Sequence, residues 1–168
     1  MQVPVRDNKP FAADKARRHL GMLGYEGFAY LGGQQSMNPA EVLLRTLRAD
    51  DVDARVVEAL PWLLLTYPRL DWEWMVRAAK QDDLQNRLGF VVSLARGVAE
   101  SRGDAATAAT LGTWERTLEP SRLQKTDAFC RTTLTTAETR WLRAHRSPEA
   151  AQWNVLSSLT ADMVSRAG

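Results

Sequence analysis

Apolar side chains recur at intervals of three and four residues along most of the chain, which is the period of an amphipathic helix. We find no alternation of apolar and polar residues longer than four positions, so the pattern predicts no strand. It predicts an all-α fold of about eight to ten helices. The arrangement is either an irregular multi-helix bundle or a short array of antiparallel helix pairs, because residues 39–66 and 71–101 each form two successive helices but share no repeated motif.

Residues that stop or start helices divide this pattern into segments. Pro61 lies inside an apolar run and is expected to kink or restart its helix, because it has no N–H to donate. The apolar stripe shifts by one residue near Gln81, which favours a turn between two helices, capped by Asp82 or Asp83; one long bent helix is the alternative. A short helix is expected over residues 122–131. Side chains that suit helix N-caps precede most of the other helices: Asn38, Asp50, Asp51, Asp71, Asp104, Thr135, Ser147 and Thr160.

The chain has the length and composition of one globular domain. It has 168 residues, of which 45% are hydrophobic, and this is enough to bury a core without disulfides. We expect a single helical domain over residues 1–168, with residues 1–9 as a tail. Residues 24–37 are rich in glycine and aromatic side chains and are expected to form an ordered loop or a short hairpin.

Several classes of protein are disfavoured by composition. The single cysteine, Cys130, excludes a disulfide framework and a cysteine-rich zinc site, and it lies on a predicted apolar face, where a free thiol is usually inert. The acidic residues between positions 50 and 83 mostly precede helices, where carboxylates accept from free amide groups. The sequence therefore predicts no catalytic residue, no metal ion and no cofactor. The longest apolar run, residues 60–65, is too short to span a membrane, and no apolar leader begins the chain, so a cytoplasmic protein is expected.

Two groups of aromatic residues are candidates for contact with a partner. Tyr25, Phe28 and Tyr30 lie in the glycine-rich segment and can offer aromatic area on a mobile backbone, although they can also fold back as a lid on the core. Most of the six tryptophans are expected in the core. Trp74 is the exception, because it lies off the apolar stripe that contains Trp72, and it is predicted to be an exposed interface anchor.

Basic residues suggest a further contact surface. Arginine outnumbers lysine by 18 to 4, which suits ion pairs and phosphate contacts but is also typical of a GC-rich bacterial coding sequence. Arg140, Arg143 and Arg146 are spaced by three and are predicted to form one ridge beside Trp141. Such a ridge can pair with an acidic protein surface or follow a phosphate backbone.

A polar triplet interrupts the most apolar predicted helix. Gln85, Asn86 and Arg87 precede the apolar run that begins at Leu88. Because buried polar groups are costly unless they are hydrogen-bonded, these three residues predict a buried polar network that ties this helix to its neighbours. A polar recognition surface is the alternative.

Taken together, these features favour a non-enzymatic cytoplasmic module for protein–protein interaction or regulation, similar in type to an antitoxin or an adaptor, that binds another protein by direct contact. A nucleic-acid-binding regulator that uses the basic ridge is the alternative. An enzyme of unidentified class is the third possibility. No membrane partner is expected, and the sequence leaves the oligomeric state open.

Overall fold

Helices account for the regular structure in the computed structural model, which describes residues 9–11, 13–33, 37–129 and 134–167. Within those residues the predicted all-α multi-helix fold is confirmed: two short 3-10 helices, Glu26–Leu31 and Glu119–Ser121, accompany nine α-helices. The α-helices are α1 (Ala13–Met22), α2 (Pro39–Leu47), α3 (Ala54–Thr66), α4 (Trp72–Gln81), α5 (Gln85–Ser101), α6 (Ala105–Leu118), α7 (Thr136–Ala144), α8 (Pro148–Gln152) and α9 (Ala161–Ala167).

Most of the predicted N-caps hold the first turns of their helices. The Asn38 side chain accepts a hydrogen bond from Ala40 N at 2.9 Å, and the Asp71 side chain accepts one from Trp74 N at 3.1 Å. α7 begins with a complete capping box between Thr135 and Glu138. At α3 the expectation of Asp50 or Asp51 was wrong, because the cap is Asp53. The cap positions are local properties of the chain, which is why sequence placed most of them correctly.

Two predictions about breaks between helices had different outcomes. α3 does not restart at Pro61, because the helix continues to Thr66 with Pro61 buried inside it. Near Gln81 the predicted turn is present, with Asp83 in the left-handed region at φ 56°. Neither aspartate caps α5: its N-cap is Leu84, which makes no side-chain capping bond.

The expected helix over residues 122–131 is absent from its described part, residues 122–129. This segment runs beside the chain that follows α8 and forms an isolated parallel bridge between Asp127 and Val155. Asp127 N donates to Asn154 O at 2.9 Å, and Leu156 N donates to Asp127 O at 2.8 Å. Backbone groups that a helix would pair internally are satisfied here by a distant segment, which local periodicity does not reveal. Residues 130–133, including Cys130, lie outside the described residues.

α5 is the central helix of the core, in contact with α3, α4, α6, α8 and α9. Nearly its whole first half is buried, including the polar triplet at its start. Trp153, which follows α8, is fully buried and its indole lies against Gly89 of α5. Its Nε1 donates to Glu115 of α6 at 3.4 Å, so one side chain joins the C-terminal part of the chain to both helices.

The glycine-rich segment contains a short helix where a loop or a hairpin was predicted, and residues 34–36 of it lie outside the described residues. Residues 26–31 form a 3-10 helix, and Tyr25 and Phe28 beside and within it are buried. None of the helices in the described part of the chain has the length and apolar character that a membrane span requires.

Candidate partner-binding surface

The Arg87 side chain is almost fully buried, and its guanidinium is surrounded by acceptors. Its Nε and Nη2 bond to the two carboxylate oxygens of Asp127 at 2.7 and 3.2 Å. Nη1 donates to Leu47 O at 2.7 Å and to Ala49 O at 2.9 Å, and Nη2 also donates to Ala128 O at 2.8 Å. The ring of Phe129 lies 5.0 Å from the guanidinium carbon. Arg87 therefore links α5, the end of α2 and the segment before residue 130, and no donor remains for a ligand.

Gln85 and Asn86 are buried beside Arg87 and bond to the same C-terminal region. Asn86 Oδ1 accepts from Leu123 N at 2.8 Å, while its Nδ2 donates to Leu123 O at 2.9 Å. Gln85 Nε2 donates to Ser121 O at 3.1 Å. The three side chains therefore form a buried polar network between α5 and its neighbours. A recognition site has to be exposed, and these residues are not.

Two of the predicted contact residues, Tyr25 and Phe28, have their side chains in the core, which corrects their assignment to a surface. Their rings lie 5.3 Å apart, and Tyr25 also meets Trp62 edge-on at 5.4 Å. Burial raises the pKa of Tyr25, and the nearby charge of Glu58 adds to the effect. This is the arrangement of a lid over the core. Tyr30, by contrast, is 74% exposed.

The prediction that Trp74 is the exposed tryptophan was wrong. Trp74 is half-buried and packs against the hydrophobic core. Its neighbour Trp72 stacks on Trp114 of α6 with the ring centres 4.5 Å apart. Trp141 of α7 is 53% exposed instead, and its ring stacks on the ring of His145 with the ring centres 4.2 Å apart. Helical spacing shows which side chains share a face of a helix, but it does not show whether another element covers that face. The sequence therefore could not show which tryptophan is exposed.

The predicted basic ridge is only partly a feature of one helix. Arg140 and Arg143 are exposed on α7, but Arg146 follows the end of the helix and is half-buried. Within the described residues, no hydrogen bond or ion pair occupies the guanidinium groups of these three arginines. α7 also has no buried residue, unlike α5 and α6.

A groove not predicted from the sequence lies beside α7. Its volume is about 240 Å³, and it lies between α7, the start of α3 and the C-terminal segment. Glu58 is its only acidic residue among those described. We call it the apolar groove; the apolar residues that define it include Val57, Leu134, Leu142, Leu156, Leu159 and Met163.

The apolar groove adjoins the two arginines of α7. A second depression of about 380 Å³ is lined by Arg140 and Arg143 together with Thr136, Thr139 and Leu134, and Leu134 also lines the groove. Met163 of α9 is 52% exposed. The surface thus has an apolar part and a cationic part that meet at one leucine. The spacing of the arginines predicted the cationic part of this surface. The leucines had a sequence signal only as apolar positions, and that signal does not distinguish a groove from a core.

The other depressions and side-chain clusters of the described chain are the remaining candidates for binding a ligand or a metal ion. A polar depression of about 590 Å³ lies at the end of α2, but its most buried charges are paired within the protein, Arg48 with Asp82 and Arg87 with Asp127. Among the described residues there is no group of histidine, cysteine and carboxylate side chains that could hold a metal ion.

In comparisons with known proteins, no family model, no curated protein and no solved structure matched this chain.

Proposed function

We propose that this protein is a non-enzymatic cytoplasmic interaction or regulatory module, of the antitoxin or adaptor type, that binds another protein through α7. One observation carries the proposal: α7 has no buried residue, and it exposes both the ring of Trp141 and the two arginines Arg140 and Arg143. Tryptophan and arginine are the residues most enriched among those that dominate binding energy at interfaces.

The energetics of α7 support contact with a partner. An isolated helix shorter than about 12 residues is marginal in water, so a helix of 9 residues depends on its capping box and on what packs against it. Burial of a large apolar side chain contributes about 1.5–3 kcal/mol, and the exposed half of Trp141 leaves much of that contribution unused. A partner that covers the ring gains this contribution and stabilises α7.

The charge of the surface favours an acidic partner. Arg140 and Arg143 have no acceptor among the described residues, and the nearest carboxylate on their own helix, Glu138, is engaged in the capping box. A carboxylate on a partner can accept two parallel bonds from either guanidinium. Phosphate groups can do the same, but a phosphate backbone has no apolar groups that could fill the adjoining groove.

The test compares two variants of equal charge. In the first, Arg140, Arg143 and Arg146 are replaced by Glu. The matched control replaces Arg69, Arg77 and Arg102 by Glu, since these three are exposed, as Arg140 and Arg143 are, and lie elsewhere on the molecule. Both variants are first checked for unchanged far-UV circular dichroism. Partners are then captured from host extract treated with nuclease, and the captured proteins are quantified by mass spectrometry.

We expect the wild type and the control to capture the same protein and the α7 variant to lose it. Equal capture by all three chains would contradict the proposal. Loss of all binding after nuclease treatment, together with a steep linear fall of log affinity with log salt, would favour the nucleic-acid alternative.

A further inference from the structure

The apolar groove is too small for most ligands and suited to side chains. Its volume of about 240 Å³ is below the roughly 300–1,000 Å³ of typical small-molecule pockets. Its lining offers aliphatic and thioether surface from Leu142, Leu156 and Met163, with few polar groups to orient a small molecule. An open groove of this kind accepts one or two bulky apolar side chains from a segment that lies along it.

The cationic part of the surface specifies the charge of that segment. Leu134 lines both the groove and the depression that contains Arg140 and Arg143. A segment that places apolar side chains in the groove therefore brings its next residues beside two guanidinium groups that have no acceptor within the described chain. Asp or Glu at those positions satisfies both arginines, whereas Lys or Arg is repelled.

We infer that the occupant of the apolar groove is an acidic amphipathic segment of the partner protein, with bulky apolar residues on one face and carboxylates beside them. This inference rests on the proposed function, because it names the part of the partner that contacts α7. Helix-in-groove recognition requires apolar anchors at intervals of three and four residues, and the carboxylates then follow on the adjacent face.

A second copy of the chain fits this surface less well. In a two-fold symmetric contact the same patch meets itself, so the arginines of both copies would lie close together without carboxylates between them. The only acidic residue that lines the groove in the described chain is Glu58, and it does not line the depression of Arg140 and Arg143.

The inference is tested with displayed random peptides selected on the full wild-type chain. We expect the enriched peptides to share apolar residues at helical spacing together with Asp or Glu. Met163→Asp places a charge in the groove at a half-exposed position, and Tyr30→Asp is the matched control on the exposed part of the first 3-10 helix. In fluorescence anisotropy, Met163→Asp should lower the affinity of the chain for the selected peptide about tenfold or more. Tyr30→Asp should leave this affinity unchanged.

A charge swap tests the cationic part. The double variant Arg140→Glu/Arg143→Glu should no longer bind the acidic peptide. It should instead bind a version of the peptide in which each Asp and Glu is replaced by Lys. Recovery of this kind requires direct pairing, which a change in folding does not reproduce.

The outcomes separate the inference from the function on which it rests. If no peptide is enriched, if the enriched peptides are basic or lack apolar residues, or if Met163→Asp leaves affinity unchanged, the inference is overturned, while capture of the host partner still tests the function. If light scattering shows a wild-type dimer that Met163→Asp dissociates, the occupant is a second copy and the inference is wrong. If the α7 variant keeps both peptide and host partner, both proposals fail.

Discussion

Gly89 shows how one residue's neighbours reverse the effect expected from its helix propensity. Glycine inside a helix is less favourable than alanine by about 1 kcal/mol, so Gly89 weakens α5 when considered alone. A Cβ built on Gly89, however, would lie 2.4 Å from the ring of Trp153, which has no room to move because it is fully buried. The missing side chain allows the indole to lie directly on the helix backbone.

We therefore expect Gly89→Ala to destabilise the protein by about 1–3 kcal/mol, the usual cost of overpacking a core. The matched control is Gly112→Ala in α6, where the added Cβ would meet Arg96 Cδ at 3.6 Å, an ordinary contact. That change should stabilise the protein by up to about 1 kcal/mol. Urea denaturation measures both free energies of unfolding. Stabilisation by Gly89→Ala would show that Trp153 does not lie against α5.

At the scale of the element, α5 and α7 are opposite cases. α5 is buried on almost all sides along its first half, and the polar triplet at its start is hydrogen-bonded to other segments. α7 is held at its start by a capping box and contributes no buried residue. Its apolar positions match those of a core helix in sequence, but none of them is buried.

This difference predicts different outcomes for the same substitution at two tryptophans. Trp141→Ala should lower the free energy of unfolding by no more than about 1.5 kcal/mol, half of what full burial of a large apolar side chain contributes, because the side chain is 53% exposed. Trp153→Ala should cost about 3–5 kcal/mol, because the side chain is fully buried. Chemical denaturation followed by far-UV circular dichroism measures both. A large loss of stability in Trp141→Ala would mean that α7 is part of the core, against the surface proposed here.

At the scale of the whole molecule, contacts that are distant in sequence join the two ends of the chain to α5. The Arg87–Asp127 pair, the Asn86–Leu123 bonds and the Trp153 indole connect the C-terminal part to α5. On the other side, α3 packs on α5, and α1 packs on α3. The buried side chains of these elements belong to one cluster.

We expect this arrangement to unfold in a single cooperative transition. The midpoints in urea measured by far-UV circular dichroism and by tryptophan fluorescence should coincide, since the tryptophans are distributed from α3 to the segment after α8. Two separated midpoints would show that the C-terminal part unfolds independently, which would contradict the expectation of a single domain.

What the sequence determined by itself is local. Caps such as Asn38, Asp71 and Thr135 act on amide groups two or three residues away, and the period of apolar positions is a property of one helix, so both could be predicted from short windows. The burial of Gln85, Asn86 and Arg87 could also be predicted from a short window. These polar residues begin a strongly apolar helix, and such a helix packs in the core, where polar groups need hydrogen-bond partners.

Only the tertiary structure decided which apolar and aromatic residues are covered. Trp74 lies off the apolar stripe of its helix, yet it packs on the core, while Trp141 is exposed, because coverage depends on elements far away in sequence. The same reason explains why residues 122–129 are not helical and why the sequence did not predict the apolar groove. Asp127 bonds to residues 154–156, and Leu142 lines the groove together with Met163, so both features join segments that only the fold brings together.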